Sequence, residues 1–416
     1  MAKTSTHNSR VLTGIVIALL MSCSPAERSD RSTTTGGTPR AITIGVLAPK
    51  TGFMSGHGNS IDMGARLAEA ELNAHGGING TPVKVVSLDT TSEPAGAADR
   101  ARELIQRFNA RLLIGTGTSA STLAVIPINT SARVPFIYSL DGECKTCVAG
   151  SPQTASQYVW GSGFTERMAV RPMLVYLGGR FQKAGNSFRI YFIGGDYVYP
   201  RTTNAYARSV AEELGFKIVG DEYSDTSTRD YTPVIRRILA AKPDLLIVTN
   251  PGASGVTFMR QALQLGLNTK VAISGFATFD QEAVDAMGAA SEGVYCVNRY
   301  SNELQNSANA AFLAAFRKMY PDKPLLPGPT AAAGAYGAIL VAARAFEKAG
   351  STEPDRFYAA MRGLEMDLPQ GHVIVDPSNN IFQQPMYIMQ IRGQKYHVVT
   401  DLGLQKHPGL EGCSVQ

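Results

Sequence analysis

Gly115, Gly117 and Ala120 stand in a G-x-G-x-x-A pattern at the end of the β-rich run 111–117. In a dinucleotide enzyme such a turn brings backbone N–H groups against a pyrophosphate, and Asp141, closing the following strand, stands where a ribose-binding acid is wanted. The pattern follows the third strand of its unit rather than the first, which argues against a nucleotide cofactor. Ser119 within it has two uses. A serine at a helix start is commonly the cap, and its hydroxyl, beside the unpaired N–H groups of the first turn, can equally meet the carboxylate or carbonyl of a small molecule. Cys144 and Cys147 form a C-x-x-C. A structural disulfide is the first reading; a redox pair would want the first cysteine on a helix N-terminus, and zinc would want two more ligands, which no neighbouring His or Cys offers. The six histidines, His7, His57, His75, His372, His397 and His407, are scattered without ligand spacing. Neither a G-x-S-x-G elbow nor a G-x-x-x-x-G-K-[ST] loop is present to support hydrolase or P-loop chemistry. The expectation is a chain with no catalytic residue, no metal and no cofactor.

The elements that position these residues begin only after an address segment. Lys3 and Arg10, with no acid, precede and open the uncharged run 11–20, and Leu20-Met21-Ser22-Cys23 looks like a bacterial lipobox. That run is shorter than the ~18 apolar residues of a membrane span, so 1–22 reads as a lipoprotein signal peptide and Cys23 as the lipid attachment residue. Acyl chains contribute about 0.8 kcal/mol per buried methylene and would anchor the mature chain to a membrane. Residues 23–40, rich in Ser, Thr, Gly, Pro and charge, read as a flexible tether. Export puts the chain in the periplasm or at the cell surface, where disulfides persist; Cys296 and Cys413 are then a candidate second pair. Formal charge is +5, and removing Lys3 and Arg10 leaves +3, spread among acids, which is too mild and dispersed for nucleic acid.

From 42 onward short β-rich runs alternate with amphipathic or alanine-rich ones, the pattern of parallel strands with crossover helices. The spacing predicts strands at 42–49, 83–89, 111–117 and 134–140 with helices at about 59–74, 94–108 and from 121. A second run of the same kind has strands at 188–196, 216–223, 243–250, 271–276 and 293–300, with helices at 199–214, 233–240 and 254–265. Helices at 308–320, 331–350 and 354–363 and several β-like segments end the chain. The length exceeds the ~250–300 residues at which a single core stops growing, so two lobes are expected.

On GVLAPKTGFMSGHGNS, NAHGGINGTPVKVVSLDT, LIGTGTSASTLAVIP and above all GGDYVYPRTTNAYARSVAEELGFKIVGDEYSDTSTRDYTPVIRRILAAKPDLLIVTN, the chain resembles the type I periplasmic binding proteins. The likeness runs from about 42 to 399, in the branch of the branched-chain amino acid, urea and short-chain amide binders. It implies an α/β fold of two Rossmann-like lobes with parallel sheets joined by a multi-strand hinge. The expected division is 41–163 with 299–368 for lobe 1, 164–298 with 369–403 for lobe 2, and 404–416 as a C-terminal tail. It also implies an extracytoplasmic solute-binding lipoprotein of an ABC importer, delivering a small polar solute to permease subunits as a monomer; a ligand-sensing module of a signalling system is the alternative. In the family a serine four residues after a strand-end glycine meets the ligand, here Ser119 after Gly115, and the matching tyrosines are Tyr197 and Tyr199. Tyr138, Ser139, Asp141, Asn250, Phe53 and Phe276 complete the expected ligand-binding set. Amino acid binders carry an acid for the ligand ammonium, for which Asp141 and Asp280 are the candidates.

Overall fold

The computed structural model describes residues 41–139, 156–276, 278–322 and 329–407. Strands β1 (Ile42–Ala48), β2 (Val83–Asp89), β3 (Leu112–Gly115), β4 (Phe136–Tyr138) and β5 (Val159–Gly161) form one parallel sheet in the order β2-β1-β3-β4-β5. Between them run α1 (Ser55–Ala74), α2 (Pro94–Gln106) and α3 (Ser119–Ala132). The second unit consists of α4 (Glu166–Phe181), β6 (Arg189–Gly195), α5 (Val198–Glu213), β7 (Lys217–Ser224), α6 (Thr232–Ala241), β8 (Leu245–Thr249), α7 (Gly252–Gln264), β9 (Ala272–Phe276), α8 (Gln281–Met287) and β10 (Tyr295–Asn298). The chain continues through α9 (Ser307–Met319), α10 (Pro329–Ala349), α11 (Pro354–Met361), β11 (Glu365–Leu368), β12 (Gly371–Val375), β13 (Phe382–Arg392) and β14 (Lys395–Gln405). The larger sheet runs β11-β12-β13-β10-β9-β8-β6-β7, with β14 paired to β13.

The central strands are continuous apolar runs because helices cover both faces of each sheet. β3 and β8 are buried along their whole length. In the first lobe α1 and α10 cover one face and α2 and α3 the other; in the second α4 and α5 lie on one face and α6, α7 and α8 on the other. The small residues of α10 let it approach α1 so closely that a side chain at Gly64 would meet the Ala332 carbonyl at 2.1 Å. The chain crosses between the lobes at 161–166, 298–307 and 375–382. These crossings are tied together: the buried Arg299 guanidinium donates to the carbonyls of Ser162, Ser139 and Thr330, Gln384 donates to Gly163 at 2.8 Å, and Asn380 to Val159 at 3.2 Å.

The alternation of strand and helix is present as expected, with differences that have local causes. α1 starts four residues earlier than its periodicity announced, because Gly56 and Gly58 hide the first turn. β5 has only three residues and α4 carries Pro172 and two glycines with little sidedness, so neither was expected. α8 has seven residues, too few for a helical period to register. The lobe limit expected at 368/369 falls at the tip of the β11–β12 hairpin, and the expected tail from 404 begins inside β14.

Candidate functional site

Gly115 and Gly117 are explained by packing. Gly115 has φ +118° and a Cβ there would meet the Leu47 carbonyl at 2.2 Å; one at Gly117 would meet Pro49 at 2.6 Å. The glycines thus press the loop after β3 against the end of β1, and the loop delivers α3. Thr118, not Ser119, caps that helix: its side chain accepts from Ser121 N–H at 3.2 Å. Thr116 and Thr122 share a hydroxyl bond at 2.5 Å beneath. Ser119 is released from capping. It is 2% exposed, and its Oγ has no hydrogen-bond partner among the described residues. A buried hydroxyl left so costs about 1–3 kcal/mol, which a guest's oxygen or nitrogen would recover. Ser139 Oγ, at the end of the neighbouring β4, is buried and unpartnered in the same way.

The second lobe presents aromatic rings. Tyr197 starts α5 and Tyr199 follows one residue into it. The loop after β1 brings Phe53 over from the first lobe, edge-on to Tyr197 at 5.8 Å, and Tyr197 lies 6.5 Å from Tyr199. Tyr199 donates to the Phe276 carbonyl. Burial pushes both tyrosine hydroxyls well above the ordinary value, so both stay neutral. The lobes touch beside these rings: His57 of α1 pairs with Asp280, the N-cap of α8, at 2.8 Å, and Gly252 sits so near the Phe53 carbonyl that a Cβ would lie 2.7 Å from it. A cavity of about 400 Å³ opens there, lined by Phe53, His57, Gly252, Arg260, Asp280 and Glu282 among others.

Two expected contacts are core residues, and a third lies near Tyr197 with its amide engaged. Tyr138 is 1% exposed in the apolar core between β4 and α3, its hydroxyl against Gly161, because strand alternation turns it away from the end where Ser139 lies. Phe276 is wholly buried in the second lobe's core with Phe192, Ile247 and Val297. Asn250 lies at the carboxyl end of β8, but both ends of its amide are used: it donates to Tyr231 at 3.0 Å and accepts from Ser254 at 2.8 Å. Asp280 lies 2.8 Å from His57 and lines the cavity beside Phe53. Asp141, Cys144, Cys147, Cys413 and Cys23 lie outside the described residues, and Cys296 is fully buried with no disulfide partner among the described residues. Sequence reasoning missed Arg299, whose burial lowers its pKa to about 10 despite the Asp280 carboxylate, and it missed the His57–Asp280 pair.

The periplasmic binding protein family model matches residues 41–395, most of the chain. The chain belongs to the periplasmic binding protein family. It is similar to a Leu/Ile/Val-binding protein homolog of Brucella melitensis, 25% identical over 84% of this chain and 87% of that one. The leucine-, isoleucine-, valine-, threonine- and alanine-binding protein of Pseudomonas aeruginosa is 22% identical over 82% and 87%. Among solved structures, an ABC transporter solute-binding protein of Rhodopseudomonas palustris, in complex with 3,4-dihydroxybenzoic acid, superposes with a TM-score of 0.77 at 26% identity, over 89% of this chain and 99% of that one. These relatives are substrate-binding transport proteins, not enzymes, and this periplasmic binding protein shares their solute-binding, ABC-transport setting. No helix among its described residues is long and apolar enough to cross a membrane.

Proposed function

We propose that this periplasmic binding protein captures a small solute with a carboxylate or amide oxygen and a flat or apolar body, and hands it to the permease of an ABC importer as a monomer. One observation carries the reading: Ser119 Oγ is buried at the N-terminus of α3 with no hydrogen-bond partner among the described residues, and α3 contacts α5, the helix that begins with Tyr197 and Tyr199. A helix N-terminus favours an anionic or carbonyl oxygen, and aromatic faces favour a planar or branched apolar body. The ligands named for the relatives, leucine, isoleucine, valine, threonine and alanine in one and 3,4-dihydroxybenzoic acid in another, all carry a carboxylate. Capture follows from population shift: a solute that touches both lobes only when they are shut favours the shut state.

Calorimetry with leucine, valine, 4-hydroxybenzoate, 3,4-dihydroxybenzoate, acetamide and urea tests the reading. Binding by one or more of the carboxylates supports it, and silence across the panel removes it. The anchor is tested separately, since Cys23→Ser should release the exported protein from the membrane fraction.

A further inference from the structure

We propose that the His57–Asp280 pair is a proton-dependent clasp between the lobes, making His57 a positioning residue for solute capture that acts through the shut state. The inference rests on reading the crevice as a closing solute site. His57 belongs to α1, built on the first sheet, and Asp280 to the loop between β9 and α8, built on the second. Their side chains meet at 2.8 Å, 12% and 7% exposed. The contact can form only when the lobes are together, so whatever it contributes is contributed to closure alone.

The charges around the imidazole decide the sign. Facing it are Asp280 and Glu282 of the second lobe, with the Arg260 cation of α7 lining the same cavity. Behind Asp280 lie the Arg299 cation and the neutral Cys296 thiol and Tyr396 hydroxyl. On the near side Asp62 is held by Lys50 and Arg66. Burial and the N-terminus of α1 oppose a proton on His57. The Asp280 carboxylate, joined by Glu282, outweighs them, and the net shift is upward. Opening the lobes removes Asp280 and Glu282 from His57 and returns it toward the ordinary histidine value. The proton is therefore bound more tightly in the shut state. Closure gains fully at pH below the open-state value and loses that gain as pH rises through the shut-state value.

Small-angle X-ray scattering of the unliganded full chain at about pH 5.5 and about pH 8.5, either side of the ordinary histidine value, reads the clasp without a solute. The wild type should be more compact at the lower pH, His57→Gln should show the same size at both, and His57→Lys, carrying a permanent charge, should be compact at both. A wild-type profile flat with pH, or a His57→Gln profile that keeps the wild-type dependence, overturns the clasp. Near-ultraviolet circular dichroism confirms that each variant is folded, and Asp280→Asn provides the same test from the other side, with an expected loss of the pH dependence. Titration of the His57 ring protons by NMR should give a pKa that falls in Asp280→Asn. The calorimetric panel stands apart: binding with a flat scattering profile removes the clasp and keeps the solute reading, while a silent panel with a titrating profile does the reverse.

Discussion

Ser119 owes its availability to its neighbour. Because Thr118 takes the capping bond, the Ser119 hydroxyl is left buried with nothing to hold. A hydrogen bond to a charged group contributes about 1.5–3 kcal/mol, so Ser119→Ala should weaken binding of an anionic solute roughly tenfold to a hundredfold, read by calorimetry, with little change in melting temperature. Phe276 predicts the opposite pattern. It is part of a packed core, and Phe276→Ala should cost about 3–5 kcal/mol of stability in a denaturant titration. The family resemblance singled out Ser119, four residues after Gly115; the residue pattern alone left a cap and a ligand contact equally open. Nor was that pattern enough for Tyr138, one residue away from Ser139, since sequence alone does not fix which strand position is the last before the turn. Arg299 was illegible for another reason: a basic residue in a mixed stretch looks like solvated surface until three backbone carbonyls close around it.

At the scale of elements, the parallel strands and long crossover helices were legible because each strand is a short apolar run and each long helix repeats its apolar face several times. β5, α4 and α8 were not: three residues cannot show an alternation, seven cannot show a helical period, and α4 is apolar on too many sides to show a face. The loop opening α7 carries a prediction of its own. Gly252 combines φ +70° with close approach to the Phe53 carbonyl of the other lobe. Gly252→Val should hold the lobes apart, giving a larger radius of gyration in scattering and a loss of solute binding, with the fold otherwise kept.

Across the whole molecule, stability should also depend on pH through a histidine beside the lobe crossings. His407 is buried near the Arg167 cation, and burial first and that charge second lower its pKa to about 4. The unfolded chain binds a proton there at the ordinary histidine value of about 6.5, so between these values the unfolded state holds more protons. Stability from this residue is complete above about pH 6.5 and is lost as pH falls toward about 4. The melting temperature should drop over that window, and His407→Gln should flatten the drop. By itself the sequence determined the α/β class, the two-lobed expectation and the family, because these depend on periodicity and motifs that are local along the chain. Only the tertiary structure decided which hydroxyls lack partners among the described residues, that Asp280 meets His57, and that Arg299 binds the crossings together. The His57–Asp280 pair and the bonds from Arg299 to Ser162 and Ser139 join residues more than a hundred positions apart in the chain, and which of them meet is set by how the two sheets and their helices pack, not by any pattern a single segment carries.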